Sequence, residues 1–119
     1  MASKTITMYA EKKYELEDFK DAIKSEFYKL KQDVEFAGEV YRELGETKTL
    51  LLIFERYYLR TESYASLMIL LSEFQGYQSA DIISAGGKDL LFSWGAENNF
   101  ATWGEQVLRN LGFMTKVHN

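Results

Sequence analysis

Glu55 and Asp81 are the carboxylates best placed for chemistry, because both sit in apolar runs that read as strands, and Glu97 follows at the start of a helix-like segment. Two carboxylates converging in one cleft would support acid–base hydrolysis or hold a hard cation. Each also has a plainer role. Glu55 and Arg56 alternate in and out of a strand end, with Arg56 pairing across the sheet. Glu97 suits the positive end of a helix dipole. His118 is the single histidine, one residue from the C-terminus, and there is no cysteine. A thiolate nucleophile, a sulfur-bound zinc site and a disulfide framework are therefore excluded, and neither a metal nor a cofactor is expected.

Gly86-Gly87-Lys88 invites comparison with phosphate loops, but its neighbours match neither the P-loop nor the dinucleotide fingerprint. A tight hairpin turn is the expected reading. The start of the last helix, around 95–98, does offer free backbone N–H groups to an anion, although most helix starts hold water or their own cap.

Tyr41, Tyr57, Tyr58, Tyr64 and Tyr77, with Trp94 and Trp103, belong to a chain that is 15% aromatic. Such residues could line a small-molecule cleft between sheet and helix, cover a sheet face that meets a second subunit, or serve as core and cross-strand pairs. The candidate binding set is Glu55, Arg56, Tyr58, Tyr64, Trp94, Glu97 and Trp103, with no catalytic residue assigned.

The elements that position these residues follow from periodicity. Ile6 and Met8 alternate with polar neighbours in a short strand over 5–9. Leu16, Phe19, Ile23, Phe27 and Leu30 recur every three or four positions and predict an amphipathic helix over 15–31, with acids early and bases late. From 34 the period becomes two, giving a strand to 41. A turn at Leu44-Gly45-Glu46-Thr47 leads to an apolar central strand over 50–58.

The segment 63–74 is ambiguous: Tyr64, Leu67, Met68, Leu71 and Phe74 have helical spacing, while a strand would pair through a short turn at Arg60-Thr61-Glu62. Gly76 opens a turn to a strand over 80–85, a hairpin at Gly86-Gly87 returns over 90–94, and a final helix runs 96–111 with Phe100, Trp103, Val107 and Leu111 inward. The result is an α+β two-layer sandwich, β-α-β(4-5)-α in order, with a mostly antiparallel sheet and two helices packed on one face.

The 119 residues contain no proline, repeat or low-complexity linker and form a single expected domain over 1–119. Net charge is −4 with the basic residues scattered, so nucleic acid is not an expected partner. No apolar run approaches the ~20 residues that span a bilayer, nor is there a signal-peptide pattern. A cytoplasmic protein without membrane contact is expected.

Phe54-Glu55-Arg56-Tyr57, Ser66-Leu67, Ile83-Ser84-Ala85-Gly86-Gly87, and Trp94-Gly95-Ala96-Glu97 with Phe100, in this order, resemble a family of small bacterial proteins of unknown function over roughly 34–111. The resemblance implies a strand over 64–71, a small α+β fold and a bacterial source, and it transfers no catalytic residue. The stretch from Gly87 to Trp94 is shorter than the family's pattern.

Two helices cover only one face of such a sheet, and the other face is apolar around 50–54 and 67–71. The leading expectation is a non-enzymatic binding or interaction module that self-associates as a homodimer through a sheet face or edge. The alternative is a carrier for a small apolar or aromatic ligand between the sheet and the C-terminal helix. A carboxylate-based enzyme stands third.

Overall fold

A computed structural model describes residues 3–59, 62–86 and 96–115. Strand β1 (Ser3–Glu11) is followed by a 3-10 turn (Leu16–Asp18), helix α1 (Phe19–Leu30), strands β2 (Glu35–Leu44), β3 (Thr47–Tyr58), β4 (Ser63–Phe74) and β5 (Tyr77–Gly86), and helix α2 (Ala96–Asn110). All strand pairs are antiparallel in one five-stranded sheet of order β1-β5-β4-β3-β2. β1 and β2 form opposite edges, so the segment carrying α1 crosses the whole sheet.

Turn chemistry sets the register. Leu44 pairs with Thr47 around Gly45, whose φ is +60°, and Phe74 pairs with Tyr77 around Gln75 and Gly76, with φ of 51° and 81°. Two consecutive positive φ values give the turn twist that matches flanking strands.

β4 resolves the helix-or-strand ambiguity. Ser63, Ala65, Leu67, Ile69, Leu71 and Glu73 are buried while their neighbours are not, a period of two that only a strand produces. The helical spacing of Tyr64, Met68 and Phe74 is coincidental, because these three stand on the opposite face from Leu67 and Leu71.

The inner face packs under both helices. Phe19, Ile23 and Phe27 are the buried stripe of α1, whereas Leu30, expected to join them, is 39% exposed at the helix end. Phe100, Ala101, Val107 and Leu108 are buried on α2, with Trp103 and Leu111 packed at the margin. α2 ends at Gly112, with φ of +101°: Phe113 N–H reaches the Leu108 carbonyl at 2.9 Å and Gly112 N–H the Arg109 carbonyl at 3.0 Å. This glycine-terminated cap turns Phe113 onto Phe19, with ring centres 5.5 Å apart. Met114 then exchanges backbone hydrogen bonds with Tyr9 at 2.7 and 2.8 Å, tying down the outer edge of β1.

One expectation changes. Gly86 belongs to β5, which is flanked by β1 on one side and β4 on the other. No edge of β5 is left for a strand returning from a Gly86-Gly87 hairpin; Gly87 and residues 90–94 themselves lie outside the described residues.

At Gly104, α2 comes down on the sheet. A Cβ there would lie 3.2 Å from both Ile82 Cγ2 and Leu67 Cδ2, below ordinary van der Waals contact. Gly104→Val is expected to lower unfolding free energy by about 1–3 kcal/mol through overpacking, despite the better helix propensity of valine over glycine. Urea denaturation compared with the wild type checks this.

Candidate functional site

Arg56, Tyr58 and Trp103 meet on the helix-covered face. Arg56 and Tyr58 are two apart on β3 and so share a side, and Trp103 approaches from α2. The Arg56 guanidinium carbon is 4.7 Å from the Tyr58 ring centre and 4.9 Å from that of Trp103, while its Nε donates to Asp33 Oδ2 at 2.9 Å. Lys31 Nζ lies 5.1 Å from the Trp103 ring. Cation–π contacts contribute about 0.5–1 kcal/mol when exposed and more when desolvated. The cluster clasps β3, the approach to β2 and α2 together. The Tyr58 hydroxyl is buried beside the Arg56 guanidinium, with no close hydrogen-bond partner among the described residues.

Next to this clasp, where an aromatic pocket is expected, the rings interlock. Phe100 lies 6.1 Å from Trp103 and 6.4 Å from Phe27, and Phe27 lies 4.8 Å from Phe54.

Glu55 and Tyr64 stand on the other face, as does Asp81. β4 runs between Glu55 and Asp81, and their partners on it, Ser66 and Leu70, are four positions apart, so strand spacing and rise put them roughly 17 Å apart. Asp81 Oδ1 accepts a hydrogen bond from the Thr7 hydroxyl at 2.8 Å. They share a face without forming the close pair that acid–base chemistry needs. Trp94 and His118 lie outside the described residues, as does the side chain of Glu97. Among the described residues no group of three or more acidic or histidine side chains is placed to hold a metal ion.

At the opposite end of the covered face, a network appears that the sequence reading passed over. Glu73 is only 7% exposed; its Oε1 accepts from Gln78 Nε2 at 2.8 Å and its Oε2 from Lys12 Nζ at 3.0 Å. Gln78 Nε2 also donates to the Tyr14 carbonyl at 2.9 Å. Glu15 links Lys12 and Lys48 at 3.2 and 3.5 Å. The available signal was phase: Glu73 continues the inward series of Leu67, Ile69 and Leu71. Burial by itself pushes the Glu73 carboxyl up, but the Gln78 and Lys12 hydrogen bonds, with the nearby lysine charges, outweigh it and hold it below its usual value.

The open face of the sheet carries an apolar band. Val40, Leu51 and Leu70 form one rung across β2, β3 and β4, and Ile53, Met68 and Ile83 form most of the next. Val40 is 46% and Met68 37% exposed, with the other four partly exposed. Aromatic residues stand beyond both ends of this band: Phe74 beside Tyr77 at one, Tyr57 beside Tyr64 with ring centres 5.0 Å apart at the other. The chain edges are less inviting. Met114 bridges β1, and β2 carries a bulge between Phe36 and Gly38 with charged Glu39, Arg42 and Glu43 beyond it, features that discourage edge pairing.

Residues 1–112 match the model of a family described as a family of unknown function, DUF6054. No curated protein matches the chain. The match extends through β1 and α1, beyond the span over which motifs carried the resemblance, and gives neither an activity nor a source organism.

The Glu73 shift has a definite sign. Its folded-state pKa lies below the unfolded value, so its stabilising contribution is full above that unfolded value and is lost as pH falls through the lowered folded one. Glu73→Gln is expected to cost about 1–2 kcal/mol near pH 7, in line with hydrogen bonds to a charged group. That gap from the wild type should narrow as pH drops below about 4. Denaturant melts at a series of pH values check both statements.

Proposed function

The chain belongs to the DUF6054 family of unknown function, and from that premise we propose that it is a non-enzymatic interaction module whose docking surface is the open face of its sheet. The observation that supports this reading is the apolar band described above, which nothing among the described residues covers because both helices pack on the other side. By strand spacing and rise, five strands of about ten residues present a face of roughly 800 Å². Aromatic residues and methionine in this setting are typical of buried interface centres. Paired charges and polar rims fix the partner's orientation, while the apolar centre supplies most of the affinity.

A second reading, a small-ligand carrier, draws on the buried Tyr58 hydroxyl, which has no close hydrogen-bond partner among the described residues, beside Arg56 and Trp103. Its ligand would place a polar atom at that hydroxyl and an apolar body against the indole.

Native mass spectrometry of freshly purified protein separates the two. An interaction module carries a whole-number multiple of 13.8 kDa or a stoichiometric second protein, and Met68→Asp removes it while a cooperative melt shows that the variant still folds, at a cost of about 1 kcal/mol for an Asp on a strand. A carrier instead shows a small added mass that is unaffected by Met68→Asp and lost in Tyr58→Phe. A bare 13.8 kDa chain would overturn both readings.

A further inference from the structure

We infer that the occupant of the open face is a second copy of the chain, docked face to face about a twofold axis that lies between the sheets and runs across the strands. The inference rests on the reading of that face as the docking surface and adds the partner and the geometry. Its starting point is a pattern of charge that is unfavourable within one chain. Glu35 and Glu55 are directly opposite each other on β2 and β3, and like charges in that position repel. Neither has an ion-pair partner among the described residues, and the same is true of Arg42, which stands opposite Thr49 further along β2.

The open face is a ladder of six rungs. Phe74 and Leu44 lie in the first, Arg42 in the second, Val40, Leu51 and Leu70 in the third, Ile53 and Met68 in the fourth, Glu35 and Glu55 in the fifth, and Tyr57 with Tyr64 in the sixth. A twofold axis running across the strands between the third and fourth rungs lays each strand over its own copy in the opposite direction. First then meets sixth, second meets fifth, and third meets fourth.

Three of these features find a complement under that operation. Arg42 of each copy meets Glu35 of the other, so the Glu35–Glu55 repulsion is relieved twice. Phe74, 50% exposed, meets Tyr64, 56% exposed. Leu51 meets Ile53 and Leu70 meets Met68 at the centre, a self-complementary arrangement of the kind a twofold interface requires. Asp81, the charged group within the band, falls on Ile83 of the other copy and keeps its own acceptor contact with the Thr7 hydroxyl at 2.8 Å. A twofold axis along the strands would instead set Arg42 against Tyr9 and Glu55 against Ala85, leaving the acids without a cation. The face of roughly 800 Å² matches the contribution of each partner to a standard-size interface.

The test uses the full chain in sedimentation equilibrium over a concentration series. The wild type should reach twice 13.8 kDa. Arg42→Glu and Glu35→Arg, each alone, replace two attractions with two repulsions and should weaken dimerisation about tenfold or more. An equimolar mixture of the R42E and E35R chains places opposite charges at both contacts and should recover dimers near wild-type affinity. Circular dichroism melts of each variant exclude unfolding as the cause. Charge variants that dimerise normally alone, or a mixture that fails to recover, would overturn this orientation. A wild-type chain that remains at 13.8 kDa overturns the second copy as partner. The docking face itself fails separately, if Met68→Asp dimerises as well as the wild type.

Discussion

Leu67, Ile69 and Leu71 on the central strand are each fully buried, packed on the covered face with Leu50, Leu52 and Phe54 from β3 and Ala80 and Ile82 from β5. The other elements take their places from this row. A slip of one residue would turn it outward and bring Met68 and Leu70 inward, so the register of β4 decides which residues lie under the helices and which remain exposed. Gly104 is the counterpart on α2. Without a side chain, the helix axis can come down on Leu67 and Ile82, and this approach sets the depth of the covered layer.

The covered layer is closed at its two ends by polar groups, each in a different way. At one end the Arg56 guanidinium lies 4.7 and 4.9 Å from two aromatic ring centres while Asp33 accepts from it at 2.9 Å; a planar guanidinium suits contact with ring faces better than an ammonium. At the other, Glu73 is the buried member of a network that alternates acid and base outward from the core through Lys12, Glu15 and Lys48. Removing one partner of such a pair costs more than the pair contributes, because a desolvated charge is left behind. These two ends hold α1, α2 and the sheet in one arrangement, and with them the curvature and exposure of the opposite face.

That opposite face is the direct consequence of having five strands and two helices. Both helices are drawn to the inner row, and nothing among the described residues covers the outer one. An antiparallel sheet can leave one face to water when that face is polar; here the third and fourth rungs are largely apolar. The edges are protected by the Met114 bridge and the β2 bulge, so association through the face is favoured over association through the edges. Hydrophobic contact of this kind is non-directional, and the charges at Arg42, Glu35 and Glu55 supply the direction.

The sequence by itself determined the α+β class, the amphipathic stripes of both helices and the turns at Gly45 and Gly76, because each depends on local spacing and on residues suited to positive φ. It left the segment 63–74 undecided, since its apolar residues fit both periods; pairing on both sides by β3 and β5 decided for a strand. It also grouped Arg56 with Glu55 and Tyr64, which the pleat sends to opposite faces. Only tertiary structure could unite Arg56 with Trp103, 47 positions away along the chain, bury Glu73 beside Lys12, and align residues from four strands into one apolar band. Those outcomes depend on register and on contacts between distant segments, and no local spacing encodes them.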